Sequence, residues 1–443
     1  MKFKKSGQIV LALAVSLGLG FGLTSCANDY TVAYLYVTGA QYNQIGAFKI
    51  SDNTGNLTGV PGSPFGSNGK NPVRALVSST GRYLYVLNAG DSATDSSGNT
   101  TYQSANITVF SVGGNGTLAY QQTYQSQGYG ATRFALSQNG GFLYVLDKYS
   151  PAAGKNTAGD PLTGSTAPAT GMACQDSSGV YHPTGDITVF AVDSNTGRLS
   201  LVTNSQLTDS EGKPYTYFPV GCEPIDFIST GAYVLTADTS DPVTGNKFTV
   251  FAYAASSTDG QLTVTQNTEF VTGAQSISTI GASASKSYIY ILDPLQNYIW
   301  SYTVGANGLL APVTNGSPTL NAKTVAGNPI ALTTDSKSKF LYVANAGPSS
   351  GVGNANSDIT GYTISSNGVL APTSPPTFHA GSSPQCIIED PSNQFIFTAD
   401  HDSNTVTGQV LDPSSGNLTD MRRKTTFPTV GNPTWCVADS HTD

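Results

Sequence analysis

A chain of 443 residues with only 11% charged side chains, against about 25% in typical soluble domains, has a surface filled by Ser, Thr, Asn and Gly that suits an extracytoplasmic protein. Its formal net charge of −8, with no basic stripe, argues against a nucleic-acid partner. The 48 glycines and 24 prolines instead suit a fold with many tight turns.

The N-terminus carries Lys2, Lys4 and Lys5, then an apolar run from Ile9 to Leu23, then Leu23-Thr24-Ser25-Cys26. A basic start, an apolar segment too short for a comfortable span and small residues before a cysteine predict a bacterial lipoprotein signal peptide over residues 1–25. Cys26 becomes the lipid-bearing first residue, and the membrane is a partner through that lipid. The expected address is the cell envelope, extracytoplasmic, and the outer membrane if the source is Gram-negative. Losing three lysines and no acid takes the net charge from −8 to −11.

Residues 26–443 read as one domain, a repeat array. Seven short aromatic and aliphatic strands recur: Tyr34 to Val37, Tyr83 to Val86, Phe142 to Val145, Tyr233 to Thr236, Tyr288 to Ile291, Phe340 to Val343 and Phe395 to Thr398. A first strand precedes most of them, at Pro72 to Val77, Ala131 to Ser137, Pro224 to Ser229, Gln275 to Ile280, Ile330 to Leu332 and Pro384 to Glu389. In the clearest copy a third strand follows at Ile359 to Ile364, and the Asn367-Gly368 turn leads to a short fourth. Period-two alternation with Asn-Gly turns marks antiparallel hairpins. Four strands in seven copies predict an all-β, seven-bladed propeller with almost no helix. The first blade lacks its own first strand, and Gly431 to Val437 stands spare, so the C-terminal strand is expected to close the ring.

With Cys26 lipidated, four cysteines remain. Cys174, in the long loop of the third blade, shares a face with Cys222, just before the first strand of the fourth. Cys386 and Cys436 lie on first strands of blades that adjoin only if the ring closes. The predicted disulfides are Cys174–Cys222 and Cys386–Cys436, permitted by an oxidising compartment.

The second residue after the strand core is Asn or Asp in six copies: Asn88, Asp147, Asp238, Asp293, Asn345 and Asp400, with Gly39 in the seventh. These six either ring a channel mouth as ligand-binding groups or cap the next turn as Asx residues. The loops after them are long in four blades, at Ala89 to Ala105, Lys148 to Gly185, Thr239 to Asn246 and Ala346 to Ser357, while turns between first and second strands stay tight. One face is thus elaborated, and binding is expected there. The oxygen-rich Asp91, Asp95 and Asn99 lack EF-hand spacing. His182, His379, His401 and His441 form no zinc motif, and neither a Gly-x-Ser-x-Gly elbow nor a phosphate loop is present. No metal and no cofactor is implied.

The signature Ser-x-x-Gly-x-Tyr/Phe-Leu-Tyr-Val-x-Asn/Asp, as in Ser78 to Asn88 and Ser137 to Asp147, is followed by Ile-Thr-Val-Phe at Ile107 to Phe110 and Ile187 to Phe190. Asn-Gly-x-Leu or Thr-Gly-x-Leu then follows at Asn115 to Leu118 and Thr196 to Leu199. This pattern resembles the seven-bladed lactonase-type propeller family, which includes 6-phosphogluconolactonases and carboxymuconate cyclases. The resemblance implies lactone chemistry on polar channel residues, yet Thr132 and Arg133 stand where the family places arginine and histidine. Asp147-Lys148 stands for Asn-Glu, and Gln385 for an arginine after proline. Two functions follow as expectations. The first is a monomeric, lipid-anchored propeller that binds a partner, glycan or small ligand at its elaborated face without turnover. The alternative is a sugar-lactone hydrolase with a rearranged site drawn from Arg74, Arg133, Asp147 and His401.

Overall fold

Tyr, Phe, Leu and Val alternate along the repeated strands, and in the computed structural model each such strand is the second of a four-stranded antiparallel blade. The structure describes residues 30–94, 100–102, 104–151, 184–208, 211–241, 247–265, 270–314, 322–323, 327–347 and 357–440. The leader with Cys26, most of the third-blade insertion with Cys174 and His182, and His441 lie outside them.

Six blades take their strands in chain order, as in the sixth, where Pro329–Thr334, Phe340–Asn345, Asp358–Ile364 and Leu370–His379 run from inner to outer edge. The second and third blades share one strand, Leu118–Leu136. Its N-terminal part is the outer strand of one blade and its C-terminal part the inner strand of the next. The first blade is completed from the far end of the chain. Pro433–Ser440 pairs with Thr31–Gly39, with Tyr34 opposite Asp439 and Val37 opposite Cys436. Thr31–Asp443 is one compact unit. Helix among the described residues amounts to one 3-10 turn, Ala306–Gly308, and no helix there is long and apolar enough to cross a membrane.

Cyclic order shows in the packing. The apolar core divides into seven clusters, and each joins the strands of two neighbouring blades. One of them packs Val37 of the first blade with Phe397 and Val406 of the seventh. The turn glycine between third and fourth strands repeats the message. Gly55, Gly116, Gly197, Gly260, Gly308, Gly368 and Gly416 all hold φ between +66° and +82°. Each lies against an aromatic ring at the start of a neighbouring blade's second strand, from Tyr34 on Gly116 round to Phe395 on Gly55. An L side chain there meets both a strained backbone and an aromatic ring.

Two sequence expectations need correction. The inner strand of the fifth blade is Thr279–Ala282, not Gln275 to Ile280. Gln275 N–H and Ser276 Oγ donate to the Asp293 carboxylate at 2.7 Å each, so the incoming segment is tied to a side chain rather than to the sheet. A small hairpin, Ser92–Thr94 with Thr100–Tyr102, stands in the loop after Asn88 where no element was expected.

Cys386 and Cys436 form a disulfide, with Cα atoms 5.8 Å apart, bonding the inner strand of the seventh blade to the closing strand of the first. Cys222 is also disulfide-bonded.

Candidate functional site

A β-bulge after the entry proline shifts the register of most inner strands by one residue. One residue per blade therefore stands opposite the one that precedes the Asn/Asp column: Trp435, Arg74, Arg133, Asp226, Thr279, Ala331 and Cys386. This common level of the inner strands gathers the charged groups.

Arg133 Nη1 donates to Asp226 Oδ2 at 2.9 Å and lies 3.2 Å from Thr279 Oγ1. Asp226 is saturated. Its Oδ2 also accepts Thr279 Oγ1 at 2.6 Å and the Ile280 N–H at 3.0 Å, and its Oδ1 accepts the Phe227 N–H at 2.9 Å. Arg74 lies 4.2 Å and Arg133 5.2 Å from the Trp435 ring centroid, so one indole carries two guanidinium groups. Arg74 Nη1 donates to the Val73 carbonyl at 2.9 Å, while its buried Nε has no hydrogen-bond partner. Burial first, and then the Arg133 charge, pull Arg74 down to about 9, which leaves it protonated at neutral pH.

These side chains open on a cavity of about 490 Å³ that Arg74, Arg133, Lys286 and Trp435 line together with the C-terminal ends of inner strands. Among the described residues, three cations and no carboxylate line it. Asp226 lies behind Arg133. Lys286 is exposed as a residue, yet loss of water around its ammonium, and then Arg133, lower its pKa. The Ser229 hydroxyl, also on the lining, is buried without a hydrogen-bond partner. A cationic wall with unspent donors is a receptor for a carboxylate or phosphate.

The expected site residues separate. Arg74 and Arg133 converge on the cavity; Asp147 and His401 do not line it. Asp147 is buried inside the third blade, and His401 sits on a turn with its Nδ1 2.7 Å from Asp402 Oδ1. The four-residue catalytic set is therefore not assembled. Nor do Asn88, Asp147, Asp238, Asp293, Asn345 and Asp400 ring a mouth: all six are fully buried. Most of those with described bonds cross-link the second strand to the third. Asn88 bonds Asn106 and Thr108, Asn345 bonds Asp358 and Thr360, and Asp400 bonds Thr405 and Thr407. Asp293 alone among these accepts from the following turn, at the N–H groups of Leu295 and Gln296. This cavity opens at the end opposite the elaborated face. Its lining reaches Ala284 and Lys286, on the tight turn between first and second strands of the fifth blade.

Sequence reasoning missed Asp226, Thr279, Lys286 and Trp435. Asp226, Thr279 and Trp435 sit where the register places Arg74 and Arg133 in their own blades, and strand alternation alone does not record that register. Lys286 stands on a turn and carried no signal of its own.

With this geometry in view, the family model for the seven-bladed β-propeller lactonases matches residues 26–155 and 317–438. The chain belongs to the lactonase propeller family. Similar solved structures agree in fold. A periplasmic gluconolactonase from Pseudomonas aeruginosa superposes with a TM-score of 0.63 at 15% identity, covering 93% of this chain and 100% of the other. A candidate 6-phosphogluconolactonase from Bacteroides uniformis gives 0.63 at 14%, covering 92% and 100%. One from Bacteroides fragilis gives 0.62 at 15%, covering 94% and 99%. No curated protein matches this chain in sequence. At such identities the lactonase propellers share the blade framework, and the site must be argued from these residues.

Proposed function

We propose that this lactonase propeller takes an acidic sugar lactone into its channel and hydrolyses it. The observation that carries the reading is the cavity wall of Arg74, Arg133 and Lys286, faced by no carboxylate among the described residues. The family membership and the gluconolactonase-like neighbours support the lactone class. Opening a lactone moves negative charge onto the carbonyl oxygen as water adds to the carbonyl carbon. Two fixed guanidinium groups in a partly dry cavity stabilise that charge, and such preorganised donors contribute about 10²–10³ in rate each. The carboxylate released remains a ligand for the same cations. Asp226, whose carboxylate already accepts four hydrogen bonds, acts by holding Arg133 in place.

A second reading, capture of an anionic ligand without turnover, is favoured by one observation: among the described residues, no carboxylate or imidazole lines the cavity to activate water. Hydrolysis of gluconolactone, its 6-phosphate and acyl homoserine lactones by the mature chain separates the two. Turnover of the acidic lactone, lost about 100-fold in Arg133→Met, is expected. Inactivity on all three substrates with retained binding of the product acid would leave the capture reading. The lipid on Cys26 and an extracytoplasmic address remain part of the proposal, supported by the leader pattern. Palmitate labelling of the full chain in a bacterial host, lost in Cys26→Ala, checks them.

A further inference from the structure

Asp147 and Asp186 stand opposite each other on the second and third strands of the third blade, both fully buried. Facing residues on one side of an antiparallel pair bring their Cβ atoms to about 5 Å. The other blades give an internal comparison. The same position holds Asn88 opposite Asn106 in the second blade and Asn345 opposite Asp358 in the sixth. In both, an amide Nδ2 donates across the gap, at 2.9 and 2.7 Å. The fourth and seventh blades oppose an acid with threonine. Only the third blade sets acid against acid, where no amide hydrogen bridges the pair.

The surroundings are oxygen. Ser126 Oγ donates to Asp147 Oδ2, and Thr188 Oγ1 lies 3.5 Å from Asp147 Oδ2 and 3.4 Å from Asp186 Oδ2. Asp147 Oδ1 and Asp186 Oδ1 are both buried without a hydrogen-bond partner. Gly128 packs directly against the pair: a Cβ there would collide with Asp186 Oδ1 and Asp147 Cβ and stand 2.7 Å from the Tyr149 carbonyl oxygen, which brings that backbone oxygen close to the two acids. The nearby cation is already engaged: Lys148 Nζ lies 3.6 Å from Glu223 Oε2 and 5.4 Å from the Tyr149 ring centroid.

We propose that the Asp147–Asp186 pair binds a hard divalent cation of the calcium class. Two carboxylates and neighbouring hydroxyl and carbonyl oxygens are the donor set that such an ion takes, at six to eight oxygens, and two negative charges match its charge. The ion would clamp the second strand to the third at the base of the largest insertion. There Ser150 and Thr184 also bond each other, backbone to backbone at 2.8 Å and hydroxyl to hydroxyl at 3.0 Å.

Calcium titration of the purified protein at pH 8, read by calorimetry and by thermal unfolding against a chelator control, tests this. One site per chain and a rise in Tm of a few degrees are expected, with magnesium weaker, and terbium bound there should luminesce on tyrosine excitation through Tyr149. Asp186→Asn and Asp147→Asn recreate the amide pairing of the other blades. They should fold, keep the chelator Tm within a few degrees, and lose the calcium response. No response of the wild-type protein to millimolar calcium or magnesium would overturn the proposal, whatever the variants do. A response that survives in both variants would place the ion elsewhere and overturn it equally. A Tm indifferent to cations but falling as pH rises through about 7 would assign the gap to a shared proton instead.

Discussion

At the scale of single residues, buried charge decides what each group does. Asp226 is 3% and Arg133 17% exposed on the side chain, so removing one partner strands the other. Asp226→Ala is expected to cost about 3 kcal/mol, read as a shifted urea midpoint. Glu389 offers a test with a defined sign. Burial raises its pKa to about 7, Asp335 adds to the rise, and the bonds from Ser336 N–H and Asn393 Nδ2 only partly oppose it. Because the folded-state pKa lies above the unfolded value of about 4.3, the folded protein holds the proton more tightly. Stability associated with Glu389 is therefore full below pH 4 and is lost as pH rises through about 7. Glu389→Gln should flatten that limb of the stability curve, and a pH series of denaturation midpoints checks it.

At the scale of elements, the repeated Tyr-x-Tyr strand acts as a strut between blades as well as a core strand. Tyr36 and Tyr342 pass hydroxyl bonds to the turn carbonyls of Gly116 and Gly416 in the next blade, at 3.0 and 2.8 Å. Tyr342→Phe keeps the ring and loses one buried bond, for about 1 kcal/mol. Gly416→Ala places a Cβ against Phe340 at φ +75° and should cost more, about 2 kcal/mol. Chemical denaturation of the two variants side by side separates the hydroxyl from the glycine. The Asn/Asp column belongs to this scale too. Its members were read as channel-mouth groups or turn caps, and five of the six lie opposite a threonine, asparagine or aspartate of the third strand.

At the scale of the molecule, closure is the cooperative event. The chain ends must meet before the first blade is complete, and the Cys386–Cys436 disulfide then joins strands 50 residues apart in sequence but across the closing seam. By loop-closure entropy that link stabilises by about 2–4 kcal/mol. The Cys386→Ser, Cys436→Ser double variant should lose this much in a denaturant titration under non-reducing conditions.

Blade number, closure by residues 433–440 and the Cys386–Cys436 bridge were legible in the chain because each rests on local period-two patterning or on counting repeats. Arg74 and Arg133 stood out in the chain as polar interruptions of an apolar first strand, while alternation left open which way they point. What the column side chains do, which end holds the cavity, and that Asp226, Lys286 and Trp435 join Arg74 and Arg133 were decided only by tertiary structure. Side-chain direction at those positions depends on a one-residue bulge after each entry proline and on register across blades distant in sequence. A single residue of slip turns a buried side chain toward the channel, and alternation along one strand carries no record of that slip.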